Sequence, residues 1–293
     1  MCLSKVLVGI CAHNEQNNIG GLLQNLILEQ DLSENCRIVV VCSGCNDKTP
    51  QIVKELEKRD ARIKPIIEKI RKGKANALNK IFKIARESAD MLVLVNADTL
   101  PKHGSMTKLI SGLENINAGA VFAQPVPFRE SDGFCYRIVR VIWRLHHIIS
   151  LLQKPKLSGE LCAIRTCCLQ KIPENVATDE PHFELAIRKQ GYDILYIPEA
   201  FVYIRCPTNV VDLLKHRKRI WAGHMQLQNT TGVKVPTSSF RNILQALPAL
   251  RPADFFYVLL GGFLEMVAYL QARVTFSKDK VPYIWEPIMS TKT

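Results

Sequence analysis

No uninterrupted apolar run in this sequence reads as long enough for an ordinary bilayer span. The longest such run, residues 255–270, falls short of the ~20 residues required and carries Glu265 and two glycines. A secretory leader is not expected either, because the Lys-Val-Leu-Val-Gly-Ile segment at 5–10 is too short for its apolar core and meets no cleavage-like site. The ten cysteines form no framework: they are scattered, and Cys11 and Cys42 sit inside apolar, strand-like runs. That excludes a disulfide-stapled scaffold and points to a reducing, cytoplasmic compartment. The lone C-x-x-C, Cys42-Ser43-Gly44-Cys45, lacks the second ligand pair or thioredoxin-like context that a zinc or redox role requires. Aromatics make up only 7%, and no basic module is interleaved with them, so the formal charge of +12 does not argue for nucleic acid. Phosphorylated substrates or an anionic membrane surface suit that charge. No internal repeat or low-complexity segment is visible.

What is present is alternation. With 293 residues the chain is long enough for one large domain or two modest ones, each with a core. Apolar runs at 6–11, 38–41, 63–67 and 91–95 read as strands, separated by helical patterns at Ile19, Leu22, Leu23, Leu26, then Ile52, Val53, Leu56, then Ala75, Leu78, Ile81, Phe82, Ile84. This order predicts an α/β fold with a mostly parallel central sheet covered on both faces. Runs at 119–123, 194–197 and 200–204 add further strands, some of them antiparallel.

Open α/β sheets bind ligands outside the carboxyl ends of their strands, so the strand exits carry the functional reading. The 91–95 strand leaves through Asn96-Ala97-Asp98-Thr99-Leu100-Pro101. Two apart on extended chain, Asn96 and Asp98 project the same way and can share a ligand or a hydrated metal ion; as turn chemistry, Asp98 is equally suited to capping. The first strand exits through Ala12-His13-Asn14-Glu15, the second through a turn-rich loop from Cys42 to Thr49 that suits a ribose or base. Arg71-Lys72-Gly73-Lys74 puts three cations and a glycine at a helix start, where the dipole favours anions such as phosphate; the alternative is a solvated basic turn.

In this order and at these spacings, the segments resemble the family-two glycosyltransferases of the GT-A fold, over about residues 5–227. Ala12-His13-Asn14-Glu15 looks like the opening x-x-N-E motif, residues 40–49 like V-D-D-G-S-x-D-x-T, residues 71–79 like G-K-x-x-A-L-N, and Asn96-Ala97-Asp98 takes the place of D-x-D. The resemblance implies that Ala12, Asn14, Glu15, Ser43, Arg71 and Lys74 surround a nucleotide donor, with Asp98, beside Asn96, on a divalent manganese or magnesium ion. Two departures stand out: Ser43 replaces an aspartate, and Asn96 replaces the first D-x-D acid.

Further along, Leu157-Ser158-Gly159-Glu160 resembles the family's acceptor-side loop, with Gly159 allowing close backbone approach. Thr178-Asp179-Glu180-Pro181 resembles E-D-x-x-L with the acids reversed; spacing to Phe183 and Gly191 favours Glu180 as the base, with Asp179 the alternative and helix capping compatible with either. The segment 215–224 resembles Q-x-x-R-W, which implies that Arg217, Arg219 and Trp221 lie over the donor. His216 stands at the glutamine, Arg219 matches, and Ile220 displaces Trp221 by one, which favours single transfer over processive synthesis. Arg217 and Arg219 are suited to a departing diphosphate.

Between 136 and 152, Ile138, Val141, Ile142, Leu145, Ile149 and Leu152 form one helical stripe opposite Arg137, Arg140, Arg144 and His147, as in a helix lying on an anionic bilayer or packed on the sheet. Residues 255–270 read as a membrane-inserted, interfacial or partner-burying helix, and 277–293 as a polar tail. The expectation is a GT-A domain at 1–227 and a helical, membrane-associating segment at 228–293. The activity implied is inverting, metal-dependent, non-processive transfer of a hexosyl or N-acetylhexosaminyl unit from a UDP- or GDP-sugar to a lipid-linked or membrane-presented acceptor at the inner membrane face, with no nucleic acid involved. A sugar-nucleotide nucleotidyltransferase would carry a Gly-rich, basic signature at the first strand exit, and residues 12–18 have none. A non-catalytic nucleotide-sugar-binding module remains the alternative that Ser43 and Asn96 suggest.

Overall fold

The structure, a computed structural model, describes residues 5–128, 133–152, 155–233, 235, 240–275 and 282–292. Eight strands form one sheet: β1 (Val6–Ala12), β2 (Arg37–Ser43), β3 (Ile63–Glu68), β4 (Met91–Val95), β5 (Thr99–Pro101), β6 (Ala118–Pro127), β7 (Leu161–Arg165) and β8 (Asp193–Ile204). Their order is β3-β2-β1-β4-β7-β6-β8-β5. Strands β1 to β4 pair in parallel, as does β6 with β8, while β7 and β5 run antiparallel to their neighbours. The expected α/β architecture is therefore the one observed.

The early strands are continuous apolar runs because both sheet faces are buried. Val8, Ile10, Ile38, Val40 and Val93 face α1 (Ile19–Leu28) and α2 (Thr49–Arg59), through Leu22, Leu23, Leu26 and Val53. The alternate residues Leu7, Val39, Val41, Leu92 and Leu94 face α3 (Lys74–Ser88) and α6 (Glu180–Lys189), through Leu78, Ile81, Phe82 and Phe183. Strand order reverses at β1, whose two neighbours are β2 and β4. That switch point opens a crevice at the strand ends, between the exits of β1 and β4.

The runs at 194–197 and 200–204 form one long strand, β8, which passes Pro198 with a register shift opposite Ala123 and Gln124. A bulge lets such a strand bend without ending. After α4 (Ser105–Gly112), the helices α5 (Phe134–Leu151), α7 (Val210–Thr231), α8 (Phe240–Ala246) and α9 (Phe255–Thr275) cover the crevice side. Cys135, Ile138 and Val139 of α5, Leu213 of α7 and Leu264 of α9 make a separate small core there.

Helix α9 is longer than its apolar run, because Gln271-Ala272-Arg273 continues the helix in polar residues. A stretch of 23 residues, Pro252–Val274, is long and apolar enough to cross a membrane, with a mean hydropathy of 1.5. Its two sides differ. Phe256, Leu259, Phe263, Met266, Leu270 and Val274 are exposed at helical spacing, while Leu264, Ala268 and Ala272 are buried. Helix α5 uses its cations against α9: Arg140 and Arg144 reach the buried Asp254 at 2.9 and 3.6 Å, and Arg137 donates to the Tyr257 hydroxyl at 3.1 Å. Of the expected tail, residues 277–281 and 293 lie outside the described residues. Residues 282–292 fold back onto the crevice.

Candidate functional site

The exits of β1 and β2 are knitted together by polar contacts. His13 Nδ1 lies 2.8 Å from the Ser43 carbonyl, the Asn46 amide donates to Asn14 Oδ1 at 3.0 Å, and the Glu15 amide donates to Thr49 Oγ1 at 2.7 Å. Asn14 adopts φ +54°, a left-handed conformation that asparagine tolerates better than most residues. Gly44 is required by contact as well as by its φ of +59°, since a Cβ there would collide with the Arg71 backbone. This brings the basic loop against the nucleotide-like loop. Burial and the neighbouring Arg219 both depress the Arg71 pKa, so two guanidinium groups share one wall. Ser43 Oγ is buried and has no hydrogen-bond partner.

Asn96 and Thr99 close a turn in which Thr99 Oγ1 donates to the Asn96 carbonyl at 2.9 Å, and β5 follows directly. Asp98 therefore caps no helix. It lines the crevice together with Asn96. Asn96 is not free, because its Nδ2 donates to Glu160 Oε2 at 2.7 Å. Burial and the charge of Asp98 push the Glu160 carboxyl up to about 7. Burial, with Asp98 again, raises Glu15. Among the described residues no three His, Cys, Asp or Glu side chains form a complete metal cage. The set present, acids beside an open crevice, fits a hard divalent cation that takes one or two carboxylates and completes its shell with phosphate and water oxygens.

Lys74, the first residue of α3, lies 3.3 Å from Asp179 Oδ2 and 3.5 Å from Glu180 Oε1. The expected phosphate cation thus sits over the two candidate bases. Asp179 occupies the N-cap of α6 but makes no side-chain cap bond, so capping does not account for it. Burial and Glu180 raise the Asp179 pKa. Burial opposes ionisation of Glu180 too, but Lys74, Lys156 and Arg219 outweigh it and hold Glu180 below the usual carboxylate range. The pair is thereby split, with Glu180 the more readily ionised member. Gly159 is in direct contact, since a Cβ there would collide with Glu180 Cγ and Oε1.

Helix α7 divides its basic cluster. Arg219 approaches Arg71 and Glu180, whereas Arg217 ion-pairs with Glu265 of α9 and Trp221 Nε1 donates to Glu265 Oε2 at 2.7 Å. Glu265 is thus the polar anchor of an otherwise apolar helix. The crevice is about 810 Å³ and runs from Ala12, Glu15, Ser43 and Asp98 past Glu180 to apolar walls of α5, α8 and α9, including Ile142, Ile149, Ile243, Leu247 and Val258. Several residues here carried no sequence signal of their own. Glu160 has no motif beyond its neighbour Gly159. Lys156 and His224 line the crevice, and neither nitrogen of His224 has a hydrogen-bond partner. The chain's far end contributes Lys292, whose Nζ donates to the His13 carbonyl at 3.0 Å and ion-pairs with Glu15, while the Tyr283 ring packs over Gly73. Basic and aromatic residues in a polar terminal stretch were the available hint.

Comparison with known proteins agrees with this geometry. The model of glycosyl transferase family 2 matches residues 7–172, more than half of the chain. A probable glycosyltransferase, YdaM of Bacillus subtilis (strain 168), is 26% identical over 239 residues, covering 75% of this chain and 55% of that protein. An N-acetylglucosaminyltransferase of Rhizobium meliloti (strain 1021) is 22% identical over 268 residues, covering 85% of this chain and 59% of that protein. The chain thus spans little more than half the length of these relatives. Among solved structures, the mannosyltransferase PcManGT of Pyrobaculum calidifontis, in complex with GDP-Man and Mn2+, superposes with a TM-score of 0.62 at 23% identity, over 94% of this chain and 76% of that one. S. aureus TarS 1-349 does so with a TM-score of 0.54 at 16% identity, over 93% and 92%. At these identities the structural likeness establishes the fold, which is GT-A.

Proposed function

The chain belongs to glycosyl transferase family 2, and from that premise we propose that it is a metal-dependent, inverting, non-processive transferase. It moves a hexosyl or N-acetylhexosaminyl unit from a UDP- or GDP-sugar to a lipid-linked or membrane-presented acceptor. The observation that carries this reading is the placement of Glu180, held ionised between nucleotide-type loops at one end of the crevice and apolar helices at the other.

In this reading, Ala12, Asn14, Glu15 and Ser43 hold the base and ribose, and Arg71 and Arg219 face the diphosphate. Asp98 would hold manganese or magnesium, which when bound offsets the charge that grows on the diphosphate as the glycosidic bond breaks. Glu180 accepts the proton of the acceptor hydroxyl as that oxygen attacks the anomeric carbon opposite the leaving group, which inverts the centre. Lys74 keeps the Glu180 carboxylate charged and in place, and Gly159, on the acceptor side, has no Cβ and so lets the Glu180 side chain lie against its backbone. Asp179 stays close enough to exchange roles.

The commitment of Trp221 to Glu265, with His216 and Ile220 altering the family segment, supports a single transfer. The exposed apolar stripe of α9 supports docking at the cytoplasmic face of an anionic membrane, with Glu265 directed inward. The division into a catalytic core at 1–227 and a membrane-associating segment at 228–293 is part of the same proposal. A non-catalytic binding module is the second reading, favoured by the amide at 96 bonded to Glu160. Calorimetric titration with UDP and GDP, each with and without Mn2+, tests the donor site. Metal-dependent binding is expected, and Asp98→Ala should abolish both that binding and transfer. Binding with neither transfer nor donor hydrolysis would select the second reading.

A further inference from the structure

We propose that Glu160 supplies the second carboxylate of the cation and diphosphate site, in the place where Asn96 has only an amide. This rests on the metal-dependent reading above and names a residue that reading does not include.

The register of two strands makes the case. β4 and β7 pair antiparallel with Val95 opposite Leu161, so the next pair along the ladder is Asn96 opposite Glu160. The Asn96 amide confirms it by donating to the Glu160 carbonyl at 3.1 Å. Directly opposed residues of an antiparallel pair project from the same face, which puts the Glu160 side chain beside that of Asn96. The side-chain bond at 2.7 Å follows from that placement.

The residue types are complementary in a way that two acids could not be. A carboxylate at 96 would lie against the Glu160 carboxylate, and like charges at hydrogen-bond distance cannot both ionise. An amide instead donates one N–H to Glu160 and keeps its own oxygen as an acceptor. The count of acids around the site is unchanged, two carboxylates at 98 and 160 where the family pattern has two at 96 and 98. One acid has moved across the ladder, from β4 to β7.

A separate observation, at the β2 exit of the same crevice, marks it as built for a polar ligand. Ser43 Oγ lines it, the residue is only 6% exposed, and the hydroxyl has no protein partner. A buried hydroxyl without a partner is costly unless a ligand or water completes it.

The test uses the whole chain with Mn2+ as the probe, read by electron paramagnetic resonance and by calorimetry with UDP and GDP, alongside thermal melts. Wild type is expected to bind Mn2+ with one nucleotide. Glu160→Gln should weaken Mn2+ binding about tenfold or more while leaving the melt close to wild type. Asn96→Asp alone should weaken it too, because it sets two carboxylates against each other. The double variant Asn96→Asp with Glu160→Gln restores one acid on each side of the turn, and should return to within about threefold of wild type. Glu160→Gln that binds Mn2+ like wild type, or a double variant no better than the single ones, overturns the assignment while the metal-dependent reading stands. Absence of metal-dependent nucleotide binding by the wild type, with Asp98→Ala no different, removes both.

Discussion

The two ends of the crevice are built in opposite ways. At the sheet edge nearly every polar group is tied to another loop: His13 to Ser43, Asn14 to Asn46, Glu15 to Thr49, Gln16 to Asp47. On the helical side the walls are largely apolar, and one buried polar side chain among them, His224, has no hydrogen-bond partner at either nitrogen. Cross-linked loops suit a ligand of fixed shape, because their geometry is set before binding. An apolar wall with a few unpaired polar groups suits a longer, more variable ligand that brings its own partners. The contrast supports the proposal of donor at the first end and acceptor at the second, with Glu180 at the junction.

The largest effect expected is at that junction. Glu180→Gln keeps the shape of the side chain but cannot accept a proton, so kcat should fall by about 10²–10⁴-fold with nucleotide affinity unchanged. Asp179→Asn should cost less. Steady-state kinetics on both variants decide the roles, and a larger loss in Asp179→Asn would transfer the base to Asp179.

A second prediction separates the two ends directly. Gly262 lies in α9 at the crevice, and a Cβ there would meet no atom within 4 Å. Gly262→Leu should therefore stabilise the helix by about 0.5–1 kcal/mol, since it removes a glycine from a helix interior. The same side chain narrows the acceptor end, so transfer should fall about tenfold while nucleotide binding holds. A variant that is more stable, binds nucleotide normally and transfers poorly is the signature; unchanged transfer would place the acceptor elsewhere.

The strand exits that meet at one end of the crevice were legible in the sequence and most of its helical wall was not, for a physical reason. Strand exits are local: Asn14, Ser43, Arg71 and Asp98 each follow a run whose apolar pattern reveals the strand, and sheet topology then gathers them. Asp179, Glu180 and Gly159 were singled out by the resemblance of their segments to family motifs. Glu160 was not, because its role depends on being opposite Asn96 across β4 and β7, 64 residues away. Glu265 read as an interruption of an apolar helix, while its partners Arg217 and Trp221 read as donor residues; only packing of α9 on α7 shows that they satisfy each other. The stretch at 282–292 read as a tail, since nothing local indicates that Lys292 meets Glu15.

That contact yields a smaller and more conditional effect. Lys292 is the cation of a buried acid, so Lys292→Met should destabilise the fold by about 1–3 kcal/mol at neutral pH. Burial and Asp98 already hold the Glu15 pKa above its ordinary value of 4.5. Losing the cation raises it further, and a raised acid costs stability above its unfolded pKa and none once both states are protonated. The gap between variant and wild type should therefore close as pH falls through the two raised folded-state pKa values of Glu15, and be gone by about 4.5. Melting curves between neutral and acid pH measure it, and a gap independent of pH would mean that the ion pair is not what holds residues 282–292.

The smallest effect belongs to the helical wall. His146 packs between Phe122 and Trp143, with ring centroids at 6.0 and 5.2 Å, and burial depresses its pKa from 6.5 to about 3. The folded protein thus keeps this imidazole neutral, while the unfolded chain takes up a proton near pH 6.5. The stability it contributes is complete above 6.5 and lost as pH falls towards 3, the window set by its two pKa values. His216 and His224 are depressed by burial as well and lie on the same side, so the wall as a whole is acid-sensitive. At pH 5, His146→Gln should reduce the protons taken up on unfolding by about one, leaving the share of the other histidines whose pKa is depressed. Measuring unfolding free energy across pH 4.5–7 gives that number as a slope. An unchanged slope would mean that His146 is solvated in the fold, and that the helical wall admits water as readily as the loops opposite.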